Sequence, residues 1–110
     1  MFDTKKINIL GTEYDFKINT EKEDVKLCDN DGYCDPYSKE IAVNNDYNEN
    51  DPRNINDFDG FKAKVKRHEI IHGFLFESGL KDYGNDEILV DWIAWQFPKI
   101  LEIFKETEAI

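Results

Sequence analysis

The chain has 110 residues and a formal net charge of −10, from 24 Asp and Glu against 14 Lys and Arg. That length fits one domain over 1–110, and a surface this acidic repels phosphate backbones and anionic headgroups, which argues against nucleic acid or a membrane as partner. No apolar run approaches the roughly 20 residues a bilayer needs, and no basic-then-apolar export leader is seen, so the cytoplasm is the expected compartment.

Residues 1–45 read as β-rich. Ile7, Ile9, Tyr14, Phe16 and Ile18 alternate with polar residues on either side of Gly11-Thr12, the pattern of a hairpin. Val25 and Leu27 begin a further short strand that turns at Asp31-Gly32. Glu40 to Val43 reads as another, at a sheet edge. Cys28 and Cys34 bracket the Asp31-Gly32 turn and are placed to face each other across a hairpin; in the cytoplasm they stay reduced thiols. Residues 44–56 are rich in Asn and Asp and form a polar loop.

From Phe58 the apolar period changes. Phe61, Val65, His68, His72 and Leu75 fall on one face of a helix over 58–78, capped by Asn56 or Asp57 and ended by Gly79. A second helix over 86–106 follows a short loop. Ile88, Leu89, Trp92, Ile93, Ile100, Ile103 and Phe104 give it a broad apolar face, and Pro98 is expected to kink or break it. The aromatics Phe74, Phe76, Trp92, Trp95 and Phe97 are assigned to the core. Strands followed by helices, rather than alternating with them, define an α+β fold.

The chain has two histidines, and they stand four apart in His68-Glu69-Ile70-Ile71-His72. On a helix that spacing projects both imidazoles from one face, within reach of a single Zn²⁺. Glu69 then stands beside the metal as the general base for a metal-bound water, without being a ligand. Both histidines also lie on the apolar stripe, where an imidazole without a partner is costly.

A catalytic zinc site takes three protein ligands and keeps one position open. With no third histidine, the remaining donors are carboxylates on the next helix: Asp86, Glu87 and Asp91. The short Gly79–Asn85 loop brings the start of that helix back toward the first. Glu87 and Asp91 stand one turn apart, so both can approach the site. Glu87 lies nearer the returning loop and has the longer reach. Asp91 suits a hydrogen bond to a ligand imidazole. Tyr83, between the two segments, is a candidate oxyanion donor, as are Tyr33 and Tyr37.

His68-Glu69-x-x-His72 followed by Glu87-x-x-x-Asp91 resembles the gluzincin branch of zinc metallopeptidases. The segment Asp86–Ala94, in a chain this small, also resembles phage and prophage proteins related to the ImmA/IrrE-type metallopeptidases. The motifs cover about residues 65–97. The resemblance implies a zincin-like fold, a small twisted sheet followed by an active-site helix and a glutamate helix. It implies one Zn²⁺ held by His68, His72 and Glu87, with Asp91 bonded to a ligand histidine. It further implies hydrolysis of a protein or peptide substrate held in extended form, for which the Glu40–Val43 strand is the expected partner. The alternative is a non-catalytic zinc-containing interaction module on the same fold, a phage or prophage regulatory protein. Oligomeric state leaves no mark in the sequence.

Overall fold

The alternating stretch at the N-terminus closes into a hairpin. Strands β1 (Asp3–Ile9) and β2 (Thr12–Asn19) pair antiparallel, with Ile7 opposite Tyr14 and Ile9 opposite Thr12. Their two-residue connection puts Leu10 and Gly11 at positive φ, 52° and 93°. That is the primed geometry that matches strand twist, and glycine adopts it without strain. The computed structural model describes residues 3–48 and 50–110. Met1 and Phe2, within the expected β-rich part, and Glu49, within the expected polar loop, lie outside them.

Strands β3 (Gly32–Asp35) and β4 (Glu40–Asn44) complete a four-stranded mixed sheet in the order β1-β2-β4-β3. β4 runs parallel to β2, with Phe16 opposite Ile41, and antiparallel to β3. Three expectations are corrected here. Val25–Leu27 is a turn of 3-10 helix, not a strand; Asp24 caps it by accepting a hydrogen bond from Lys26 N at 3.1 Å. Nor is Glu40–Val43 an edge strand: both its sides are paired, and the edges are β1 and β3. The reason lies in burial. Ile41, Ala42 and Val43 are all buried, and such a continuous apolar run belongs inside a sheet. Cys28 also fails to face Cys34, because it ends the 3-10 turn outside the hairpin; both are free thiols.

Helix α1 (Phe58–Glu77) lies across the sheet. Asp57 caps it by accepting from Gly60 N at 3.0 Å. It ends as the sequence implies: Gly79 sits at φ +78°, Leu80 N donates to Leu75 O, and Gly79 N donates to Phe76 O. Its fully buried positions are Val65, Glu69, His72 and Gly73. This face is rotated from the stripe expected, because the sheet covers one side of α1 and α3 the other. Gly73 permits the close approach to the sheet. A Cβ there would come within 2.9 Å of Ile9 Cδ1 and 3.3 Å of Ile41 Cδ1.

The expected short loop contains a further turn of helix, α2 (Lys81–Gly84). Helix α3 (Glu87–Glu106) starts on Asp86, whose side chain accepts from Ile88 N and Leu89 N. It runs through Pro98 unbroken. Pro98 has no N–H to offer Ala94 O, its partner one turn back. Arg67 Nε donates to that oxygen instead, at 2.8 Å, and ties α1 to α3. The core assignment of the α3 aromatics is corrected: Trp92, Trp95 and Phe97 are exposed, as is Phe74 of α1, while Phe76 is half-buried. Only Val90 and Ala94 of α3 are buried. The helix packs on α1 and α2, and among the described residues no second layer covers its outer face. Among the described residues no helix is long and apolar enough to cross a membrane.

Candidate metal centre

One turn of α1 places His68 and His72 on the rim between the sheet and α3, and their Nε2 atoms lie 3.2 Å apart. Glu87, the first residue of α3, brings one carboxylate oxygen to each ring. Oε2 is 3.0 Å from His68 Nε2, and Oε1 is 2.9 Å from His72 Nε2. The Asp86 cap fixes the start of α3 and so the origin of the Glu87 side chain. His68, His72 and Glu87 are the one such group of potential metal ligands among the described residues.

The far side of each ring decides what its Nε2 can do. His72 Nδ1 lies 2.6 Å from Gly84 O, and a carbonyl only accepts, so Nδ1 carries the proton and donates. His68 Nδ1 lies 3.1 Å from Asp91 Oδ1 and donates to that carboxylate. Lys64 Nζ pairs with the same oxygen at 2.9 Å and, as the main cause, holds Asp91 below the usual carboxylate range, with His68 adding to it. In neutral rings both Nε2 atoms therefore present lone pairs, toward each other and toward a carboxylate. Three acceptors packed this closely repel unless a cation stands among them. Zinc ligands at about 2.0–2.2 Å in a tetrahedron lie about 3.3–3.6 Å from one another, a few tenths of an ångström beyond the 2.9–3.2 Å found, where the two Glu87 contacts are made by different oxygens. The Nδ1 bonds are of the kind that orient and enrich metal-bound imidazoles. The residues fit a divalent zinc ion.

Glu69 points to the sheet side of the cluster and is 7% exposed. Burial pushes its carboxyl up to about 7, and the negative charges of Glu87 and Asp31 add to the shift. Gly32 of β3 makes room for it. A Cβ there would stand 3.0 Å from Glu69 Cγ and 2.8 Å from Ala42 O. His72 is braced further by Phe76, whose ring stacks on it at 6.0 Å between centroids. Gly84 permits this neighbourhood, since a Cβ there would meet the Phe76 ring at 2.9 Å.

The structure thus brings together His68, Glu69, His72, Glu87 and Asp91. It does not bring in Tyr83, which is exposed on α2 and does not line the cleft beside the cluster. Tyr33 lines that cleft, but its hydroxyl donates to Asp24, and Tyr37 is exposed on the β3–β4 turn. Cys34 also lines the cleft, its thiol pushed up to about 12 by burial and therefore protonated. Sequence reading missed Lys64, Gly32 and the Gly84 carbonyl. The two glycines had only a turn signal, and a backbone carbonyl leaves no mark in a sequence. No family model, curated protein or solved structure matches the chain.

Proposed function

We propose that this chain is a zinc-dependent metallopeptidase with a zincin-like fold, resembling the gluzincins and the small ImmA/IrrE-type phage proteins. The observation that carries the reading is the convergence of His68 Nε2, His72 Nε2 and the Glu87 carboxylate within 3.2 Å, with buried Glu69 beside them. When bound there, Zn²⁺ supplies Lewis-acid polarisation of a carbonyl and acidifies water. Glu69 takes a proton from the attacking water as the water oxygen bonds to the scissile carbonyl carbon. It then returns that proton to the amide nitrogen as the C–N bond breaks, leaving one carboxyl and one amine product. Burial favours the protonated carboxyl and the charge of a bound cation would favour the carboxylate, opposing pulls that suit a group that must both take and give a proton. Asp91 and Gly84 O hold the two imidazoles in the tautomer that leaves Nε2 free. The strand available to an extended substrate is β3, the edge strand that lines the cleft, through Gly32 and Tyr33.

The test is Glu69→Gln. It keeps the fold and the zinc, because Glu69 is not a ligand, and lowers peptide hydrolysis by about 10²–10⁴-fold. Hydrolysis at the wild-type rate removes Glu69 from the mechanism. One observation favours the second reading, a non-catalytic zinc module: the run of exposed aromatics on α3 offers a surface for a protein partner. Absence of cleavage by the zinc-loaded wild type across a broad peptide library decides for that reading.

A further inference from the structure

The two faces of the histidine–glutamate cluster are unlike in chemistry. On the sheet side lies a cleft of about 410 Å³ with Asn30, Gly32, Tyr33, Glu69 and Asn85 in its wall. On the α3 side lies an open concavity of about 630 Å³, lined by His68, Glu87, Asp91, Ile88, Trp92 and Trp95. His68 and Glu87 belong to both, so the candidate ligands form the ridge between a polar cleft and an aromatic shelf. Ile88, Trp92 and Trp95 fall at i, i+4 and i+7 of α3 and make one continuous face. They are 85%, 56% and 59% exposed. Large apolar side chains gathered in a concavity at a polar site are a recognition feature.

The geometry points to a bulky apolar side chain, aromatic or branched aliphatic, beside the scissile bond of the substrate, seated on the Ile88–Trp92–Trp95 shelf. The inference rests on the peptidase reading and supplies its substrate class. Three features select an apolar occupant. The shelf shares His68 and Glu87 with the cluster, so a side chain next to the cluster can rest on it. The carboxylates on its border are already engaged, Asp91 by Lys64 and His68 and Glu87 by the two histidines, so they offer no free partner to a polar side chain. A basic one finds its place taken: Lys64 Nζ sits 5.5 Å from the Trp95 ring centroid and pairs with Asp91 at 2.9 Å. What remains open is tryptophan and isoleucine surface, which favours apolar contact.

The chain has two tryptophans, and both stand on this shelf, so intrinsic fluorescence reports its occupancy directly. The experiment titrates the full zinc-loaded chain with short peptide hydroxamates that differ only in one side chain: phenylalanine, leucine, glycine or aspartate. The expected result is binding of the phenylalanine and leucine compounds at least about tenfold tighter than glycine, the scale of one good hydrophobic contact, with a blue shift of emission. Trp92→Ala is expected to bring the phenylalanine and leucine compounds down toward the affinity of the glycine compound, and Trp92→Phe to restore most of the preference. Equal affinities for the phenylalanine and glycine compounds, with unchanged emission, overturn the shelf while the peptidase reading stands. If no hydroxamate binds the zinc-loaded protein, the peptidase reading falls and the shelf falls with it.

Discussion

The two sides of α1 are held by different physics. Toward the sheet, Ile9, Tyr14 and Ile41 are almost wholly excluded from water, with Ile70 and Cys34 packed against them. Toward α3 the ties include polar ones: Lys64 to Asp91 at 2.9 Å, His68 to Asp91 at 3.1 Å and Arg67 to Ala94 O at 2.8 Å. Glu69 belongs to the first side and is buried beside Gly32 of β3, while His72 is buried against Gly84 of α2 and the Phe76 ring. Glu87 belongs to the second and is largely exposed. The lesson is a division of labour. Packing against the sheet pre-sets Glu69, the proposed general base, and α2 pre-sets one imidazole, whereas Glu87, the proposed third ligand, is brought in by a helix that a bound cation would secure.

Substitutions on the two sides should differ accordingly. Ile41→Ala removes a fully buried side chain from the sheet layer and is expected to cost about 2–5 kcal/mol. Ile103→Ala, on the exposed face of α3, should stay within about 0.5 kcal/mol. Urea unfolding of both variants checks this, and equal losses would erase the contrast. Gly32→Ala should cost about 1–3 kcal/mol, as overpacking does. Because the added methyl meets both Ala42 O and the Glu69 side chain, hydrolysis should fall further than stability does, with zinc retained. Parallel assays of melting, zinc content and peptide cleavage separate the three.

The sheet side also carries its own pH dependence. Glu77, at the end of α1, accepts from the buried Tyr14 hydroxyl at 2.6 Å and from Lys39 Nζ at 2.9 Å. The Tyr14 hydrogen bond, with those of Lys39 and Thr12, lowers its carboxyl to about 2. A carboxyl depressed in the folded state binds its proton more readily when unfolded. Its contribution is therefore complete above about pH 4.5, the ordinary value, and is lost as pH falls toward 2. Unfolding curves of wild type and Glu77→Gln should lie apart at pH 6 and converge toward pH 2. A separation that does not change with pH would remove Glu77 as the anchor.

Much of the sheet side was legible in the sequence because its signals are local. Alternation gave the β1–β2 hairpin, and Asp57 and Gly79 gave the ends of α1. The order of the strands was not, since the parallel pairing of β2 with β4 depends on contacts distant in sequence. β3 was only implied, as the return of a hairpin turning at Asp31-Gly32, because its four residues are too few to show an alternation of their own. On α3 the apolar periodicity was correct as a helix signal but misleading as a burial signal: periodicity shows which residues share a face, not whether a neighbour covers it. At the site, the histidine spacing and the i, i+4 carboxylates were enough to name five side chains that the fold brings together. The supports were not legible, because Gly84 acts through its carbonyl and Gly32 through the space it leaves empty.

The most direct measurement is zinc affinity by chelator competition, on wild type, His72→Ala, Glu87→Ala and Asp91→Ala, with stoichiometry from elemental analysis. One zinc per wild-type chain is expected. Asp91→Ala should weaken binding about 10–100-fold, as loss of a carboxylate behind a ligand imidazole does. His72→Ala and Glu87→Ala should weaken it far more. A wild-type chain that binds no zinc, or a Glu87→Ala variant that holds it as tightly as wild type, would contradict the metal centre.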